Sequence, residues 1–246
     1  MEEKARRLDP DQRVHAEQIV KTQLFRTWVV SPTSAKLLVH GNFSGTKYTS
    51  ALSLFCGTLT ETLRAKEGFY SLIFFCGLHL HLKDEEDTEP HIGTVAMIKS
   101  LIAQLLHQHR FDTSTLPHDS NPLYFHDTNI GQLCALFGWL VHQLPEDITL
   151  FCLIDGIEYF ERDKFINDMP TVLAYILELT MDSTITAIFK VLVTSPWRTE
   201  FVRRPFENEG RHDEILSLAS MSSMGGTPSM ARLQRRLYEG LGGSAG

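Results

Sequence analysis

Cysteine is scarce in this chain, and the four that occur, Cys56, Cys76, Cys134 and Cys152, stand far apart inside apolar stretches. None has the paired spacing of a zinc site or redox motif, which excludes both and reads the four as buried thiols of a reducing compartment. No apolar run approaches the roughly 20 residues that cross a bilayer, and the charged opening MEEKARRLDPDQ lacks the apolar centre of a signal peptide. A cytoplasmic protein with no membrane contact is expected. Positive charge is short as well: 23 Lys and Arg against 30 Asp and Glu leave a formal charge of −7. No basic patch interrupts the body of the chain, so nucleic acid is not an expected partner. Glycine and proline are not in excess and no internal repeat occurs, which argues against disorder and fibrous structure.

What is present is 43% hydrophobic residues over 246 positions, enough for one large core. Asp9 and Pro10 read as a helix cap with proline in the first turn, and Ala16, Val20, Leu24 and Trp28 recur at four-residue spacing. That pattern predicts one helix ending near Ser31 and Pro32. A short apolar strand over 36–40 is closed by Gly41, and Ala51, Phe55, Leu59 and Leu63 mark a helix to about Arg64. Residues 71–77 read as a parallel strand covered on both faces. Helical stripes follow at Ile98, Leu101, Ile102, Leu105 and Leu106, and at Ile130, Leu133, Phe137, Val141 and Leu144, with an irregular connection over 111–128. A strand over 149–154 ends at Asp155, a helix covers about 172–179, and further strands are expected at 191–194 and 215–218.

Strands alternating with helices predict an α/β fold, a three-layer α/β/α sandwich with a mainly parallel five-stranded sheet. Residues 1–35 are then a helical lead-in and 36–220 the main domain. Residues 221–246 are a linker followed by a short helix over 230–241 or a flexible tail, with Arg232, Arg235 and Arg236 on a solvated face.

Two stretches carry chemistry. Over 37–49 a strand, a glycine turn, a lysine and a helix start occur in the order a phosphate cradle needs, so that backbone amides and the positive helix end face the anion. Against the consensus G-x-x-x-x-G-K-[ST], counting from Gly41, Lys47 falls on the lysine. Thr46 replaces the second glycine and Tyr48 the magnesium-binding hydroxyl, while Gly45 offers a different turn. Thr49 has the right hydroxyl but stands about 100° further round a helix. The nucleotide-binding candidates are therefore Gly41, Asn42, Phe43, Ser44, Gly45, Thr46, Lys47, Tyr48 and Thr49, with a plain strand-to-helix turn as the alternative. In the second stretch, 150–158, an apolar strand delivers Asp155 to its C-terminal end, the edge where ligands bind in open parallel sheets. An aspartate there usually holds magnesium and an acid slightly beyond, here Glu158, orients attacking water, the alternative being an aspartate that caps the next turn.

Other groupings carry less. His79, His81 and His91 lack the cysteine or carboxylate spacing that would complete a metal site and read as loop histidines. The acidic turn 84–89 lacks the glycine and spacing of a calcium loop, and 41–45 has no central serine for a nucleophile elbow.

The order of these motifs resembles the NACHT-type NTPases of the STAND class, in the form common in fungal proteins with a nephrocystin-3-like N-terminal module. The resemblance rests on Phe25, Trp28, Ser34 and the strand to Gly41, on the phenylalanine-rich 72–76, on I-K-S-L-I-A-Q-L-L over 98–106, on Asp155 to Glu158, and on K-V-L-V-T-S-P over 190–196. It implies a P-loop NTPase-like sandwich that takes ATP or GTP with Mg2+. Lys47 would touch the phosphates, the amides from Gly41 to Lys47 would form the cradle, Asp155 would hold magnesium and Glu158 would position water. It also implies contacts with other proteins or self-association through the domain. The chain departs from the pattern at Thr46 and Tyr48, at Tyr159 where the last acid should stand, and at the sensor arginine, since Pro196 follows Ser195 directly and Arg198 comes two positions later. A degenerate regulatory domain with weak nucleotide binding and little hydrolysis is expected. The alternatives are a protein-interaction scaffold without nucleotide and an active NTPase with rearranged side chains.

Overall fold

A computed structural model of the protein describes residues 17–41, 50–80, 92–112, 114, 129–162, 165–197, 199, 201–207, 214–220 and 230–242. Five strands, β1 (Ala35–His40), β2 (Phe69–Phe75), β3 (Thr149–Asp155), β4 (Ile188–Ser195) and β5 (Ile215–Ser217), form one sheet in the order β2-β3-β4-β1-β5. Every pairing is parallel, which sharpens the mainly parallel sheet expected from the sequence. Side chains alternate between its faces, as the period of two requires. Leu38, Leu72, Phe74, Leu150, Cys152, Ile154, Val191 and Val193 face one apolar layer, and Leu37, Val39, Phe151, Leu153, Leu192 and Leu216 face the other.

The first layer is covered by α3 (Gly93–Gln108), α4 (Ile130–His142) and α5 (Met169–Glu178), and the second by α1 (Gln23–Val30), α2 (Ala51–Arg64) and α6 (Met230–Gly242). The result is the three-layer sandwich. Phe25 and Trp28 of α1 show what the lead-in does. Phe25 lies edge-on to Phe55 at 5.4 Å, Trp28 edge-on to Phe151 at 5.8 Å, and the Trp28 indole donates to the Ala35 carbonyl. The pair thus anchors α1 over β1 and β3. In α6, Leu233, Leu237 and Leu241 lie four apart and are buried, so this helix is docked, its last turn fixed by a hydrogen bond from the Lys66 ammonium to the Leu241 carbonyl. Arg235 is exposed and pairs with Glu239, while Arg236 reaches Glu17 at 3.7 Å.

Some boundaries move. The helix expected to run unbroken to Ser31 is interrupted at 20–22, because Thr22 adopts extended geometry and caps α1, its hydroxyl accepting from the Phe25 amide and donating to the Ile19 carbonyl. β2 runs over Phe69–Phe75 and gives way to a 3-10 turn at Cys76. β2 is covered on both faces as expected and is also an edge strand, and its outward backbone groups are met by two glutamines of α3. Gln104 accepts from the Ile73 amide at 3.0 Å and donates to the Ile73 carbonyl at 2.8 Å, and Gln108 does the same for Ser71 at 3.0 and 3.1 Å. Each carboxamide imitates a neighbouring strand and blocks further strand addition. The double variant Gln104→Ala/Gln108→Ala is expected to lose about 1–3 kcal/mol of stability and to self-associate in sedimentation velocity.

Candidate functional site

Asp155 continues the alternation of Phe151 and Leu153, so its side chain points to the α2 face of the sheet, and register sets it beside Thr194 of β4. The start of α2 meets it there. Ser50 caps the helix, its hydroxyl accepting from the amides of Leu52 and Ser53, and Ser53 closes a capping box by accepting from the Ser50 amide at 3.0 Å. The same Ser53 hydroxyl donates to Asp155 Oδ2 at 2.6 Å, and the Thr194 hydroxyl donates to Asp155 Oδ1 at 2.6 Å. One carboxylate therefore ties together α2, β3 and β4. Gly41, at the end of β1, donates its amide to the Ser195 carbonyl at 2.8 Å, which pins the loop's departure point to the same sheet edge.

Immediately after Asp155, Gly156 takes a φ of 72°, where a side chain is strained, and donates its amide to the Thr194 carbonyl. The turn it starts, Ile157–Phe160, carries Glu158 into the interior. Among the described residues no donor stands in hydrogen-bonding geometry to either Glu158 carboxylate oxygen, its own amide and the Ser195 hydroxyl lying close by, and the Ser195 hydroxyl donates to the Trp197 carbonyl at 2.7 Å. Asp155 is 3% exposed and Glu158 7%. Burial raises Asp155 to about 6, with the Ser53 and Thr194 hydroxyls pulling it partly back. Burial raises Glu158 to about 8; its own amide and the Ser195 hydroxyl oppose this, and the charges of Asp155 and Glu161 add to it. Among the described residues no basic side chain is paired with either carboxyl. Cys56 and Cys76 are buried and raised well above the ordinary thiol value, by burial first and by the charge of Asp155 second, so they are inert thiols packed beside the carboxylate.

Of the residues expected from the sequence, Gly41, Asp155 and Glu158 gather at one end of the sheet. Asn42, Phe43, Ser44, Gly45, Thr46, Lys47, Tyr48 and Thr49 lie outside the described residues, as do His81, His91, the acidic turn 84–89 and Arg198. His79 stacks on Phe74 with ring centroids 4.4 Å apart. Tyr159, where the motif wants an acid, is buried against Trp197 at 5.5 Å with Arg162 over its ring. Two residues of the network were not singled out by sequence. Thr194 was legible only as part of K-V-L-V-T-S-P, and Ser53 carried no motif; its signal is the S-x-x-S spacing of a capping box at Ser50.

The profile of the family described as Nephrocystin 3, N-terminal, matches residues 15–196, well over half of the chain. The chain belongs to this family. The span assigned to the nephrocystin 3 N-terminal family begins before α1 and ends just past β4, so it contains Gly41, Ser53, Asp155, Glu158 and Thr194 and leaves β5 and α6 beyond it. No curated protein matches the sequence. No helix among the described residues is long and apolar enough to cross a membrane.

Proposed function

We propose that the chain is a degenerate NACHT-like regulatory module of the cytoplasm that binds ATP or GTP with Mg2+ weakly at the C-terminal edge of its sheet and turns it over little or not at all. The observation that carries this reading is the pair of buried carboxyls, Asp155 and Glu158, with no basic side chain among the described residues paired to either and with the N-terminus of α2 beside them. Buried carboxyls without a cation are costly, and a hard divalent ion with oxygen ligands meets that need. Asp155 would hold Mg2+, which when bound supplies positive charge against the phosphates. The positive end of α2, whose first turn contains no acidic residue, favours phosphate in the same place.

In this reading Lys47 touches the phosphates and the amides from Gly41 to Lys47 form the cradle. Glu158 is the water-positioning group, and its raised value explains weak turnover: a glutamic acid still protonated near neutral pH is a poor acceptor for attacking water. Thr46, Tyr48 and Tyr159 remove further supports of phosphoryl transfer, which needs all of them together. A module that holds nucleotide without spending it acts through its state, and its outputs are contacts with other proteins or with a second copy.

Titration with fluorescent ATP and GTP analogues, with Mg2+ and with chelator, tests the reading. Saturable binding in the micromolar to sub-millimolar range is expected, weakened about 10- to 100-fold by Lys47→Ala, the effect of one charge-assisted contact. No binding at millimolar nucleotide would leave a scaffold without ligand. Steady phosphate release abolished by Glu158→Gln would instead make the chain a working NTPase.

A further inference from the structure

We propose that the cleft between the start of α1 and α6, walled by Lys21, Arg26 and Arg236, is a binding site for a small phosphate-bearing anion whose occupant ties the two helices together. The cleft shares no residue with the sheet edge at Asp155, so it stands apart from the nucleotide reading. Its volume is about 710 Å³, within the ~300–1,000 Å³ of small-molecule sites. The interruption at Thr22 shapes one wall. There the Val20 carbonyl accepts from Arg26 Nε at 3.1 Å, which folds the guanidinium back and leaves its two terminal nitrogens without a hydrogen bond among the described residues. The Lys21 ammonium, beside the break, likewise has no partner among the described residues. The other wall is α6. Its buried Leu233 and Leu237 set Arg236 at the rim of the docked face, the charged head reaching out from an apolar footing.

The electrostatics favour an anion of more than one charge. Arg236 Nη1 is buried and donates no hydrogen bond among the described residues, since Glu17 at 3.7 Å lies beyond hydrogen-bond reach. Glu239, the acid on the cleft wall, is drawn to Arg235 at 3.5 Å. Four cations, Lys21, Arg26, Arg235 and Arg236, thus face two acids, Glu17 and Glu239, which leaves an excess of two positive charges in a chain of formal charge −7. A phosphate monoester carries about −1.5 to −2 and three strong acceptor oxygens, which guanidinium forks take pairwise, whereas a carboxylate brings one charge. Val20 and the exposed Val30 supply an apolar wall for the organic part of such a molecule. Because Arg26 belongs to α1 and Arg236 to the helix beyond the family span, an occupant bridges the family domain and α6.

The test is calorimetric titration of the full chain with inorganic pyrophosphate in metal-free, phosphate-free buffer. Wild type is expected to bind with a dissociation constant at or below about 1 mM. Lys21→Gln/Arg26→Gln, two exposed positions whose change should leave the fold intact, should weaken binding at least about 10-fold, and Arg236→Gln should do the same. Glu239→Gln removes an opposing charge and should tighten it about 2- to 5-fold. Arg110→Gln, an exposed cation elsewhere, should stay within about 2-fold of wild type. Bound pyrophosphate should also slow amide exchange in α6 of wild type and not of Lys21→Gln/Arg26→Gln. Three results overturn the site: no wild-type binding at about 10 mM, a loss in Arg110→Gln equal to that in Lys21→Gln/Arg26→Gln, or binding that Lys21→Gln/Arg26→Gln keeps and Lys47→Ala removes. The last would place the anion at the sheet edge and leave the nucleotide reading standing.

Discussion

Stability of the wild-type chain should fall by a few kcal/mol as the pH rises from about 5 to about 8, and Glu158→Gln should remove most of that slope. An unfolded glutamate titrates near 4.3 and Glu158 in the folded chain near 8, so across this window the folded state holds a proton that the unfolded state has lost. The stability this gives is complete below the unfolded value and is lost as the pH passes through the folded one. At ~1.4 kcal/mol per unit, even half of the separation gives a slope well above error in urea denaturation. Asp155, raised to about 6, adds a smaller decline at the acid end of the window. Above about 8 the trend should reverse: Lys190, fully buried in β4 without a hydrogen-bond partner among the described residues and lowered to about 8 by burial, is neutral in the folded chain while its unfolded counterpart still carries a proton. A stability minimum near pH 8 is the signature. A profile for Glu158→Gln that overlays wild type would mean that Glu158 ionises freely in the folded chain.

The second large effect concerns Asp155. Asp155→Ala leaves the Ser53 and Thr194 hydroxyls without the acceptor they share and should cost about 2–4 kcal/mol, from the usual 1–3 kcal/mol for each buried polar group left unsatisfied. Asp155→Asn keeps one oxygen for one of the two hydroxyls and removes a charge that burial penalises, so at neutral pH it should be milder by at least about 1 kcal/mol. Urea midpoints of the two variants at one pH decide this. Equal losses would show that packing, and not the hydrogen-bonded charge, is what Asp155 contributes.

The sheet was legible because its strands are short apolar runs set between helical stripes: the strand ending at Asp155 and the helix over Ala51–Arg64 were read within a residue of their bounds. The position of Asp155 was legible too, as the acid on which an apolar strand ends at a parallel sheet's C-terminal edge. Thr22 was missed because a single β-branched residue inside a continuous apolar stripe gives no periodicity signal, yet its hydroxyl breaks the helix. That β2 lies at the sheet's edge could not be read, because an apolar run covered on both faces looks the same whether or not a further strand lies beside it. Gln104 was visible only as a letter in a motif, and its pairing with Ile73 depends on α3 lying alongside β2. Ser53 was hidden for a related reason. Its hydroxyl follows no phosphate-loop count from Gly41, and only the meeting of α2 with β3 in space brings it to the carboxylate.

Thermal unfolding of wild type and Asp155→Asn, each with chelator alone and with millimolar MgATP or MgGTP, is the most direct test of the nucleotide site. Ligand at about ten times its dissociation constant adds roughly 1.4 kcal/mol to the folded state, about 3 °C for a chain of this size. The account predicts a rise of that order in wild type, absent in Asp155→Asn relative to its own baseline. No rise in wild type with either nucleotide, or equal rises in both proteins, would contradict it.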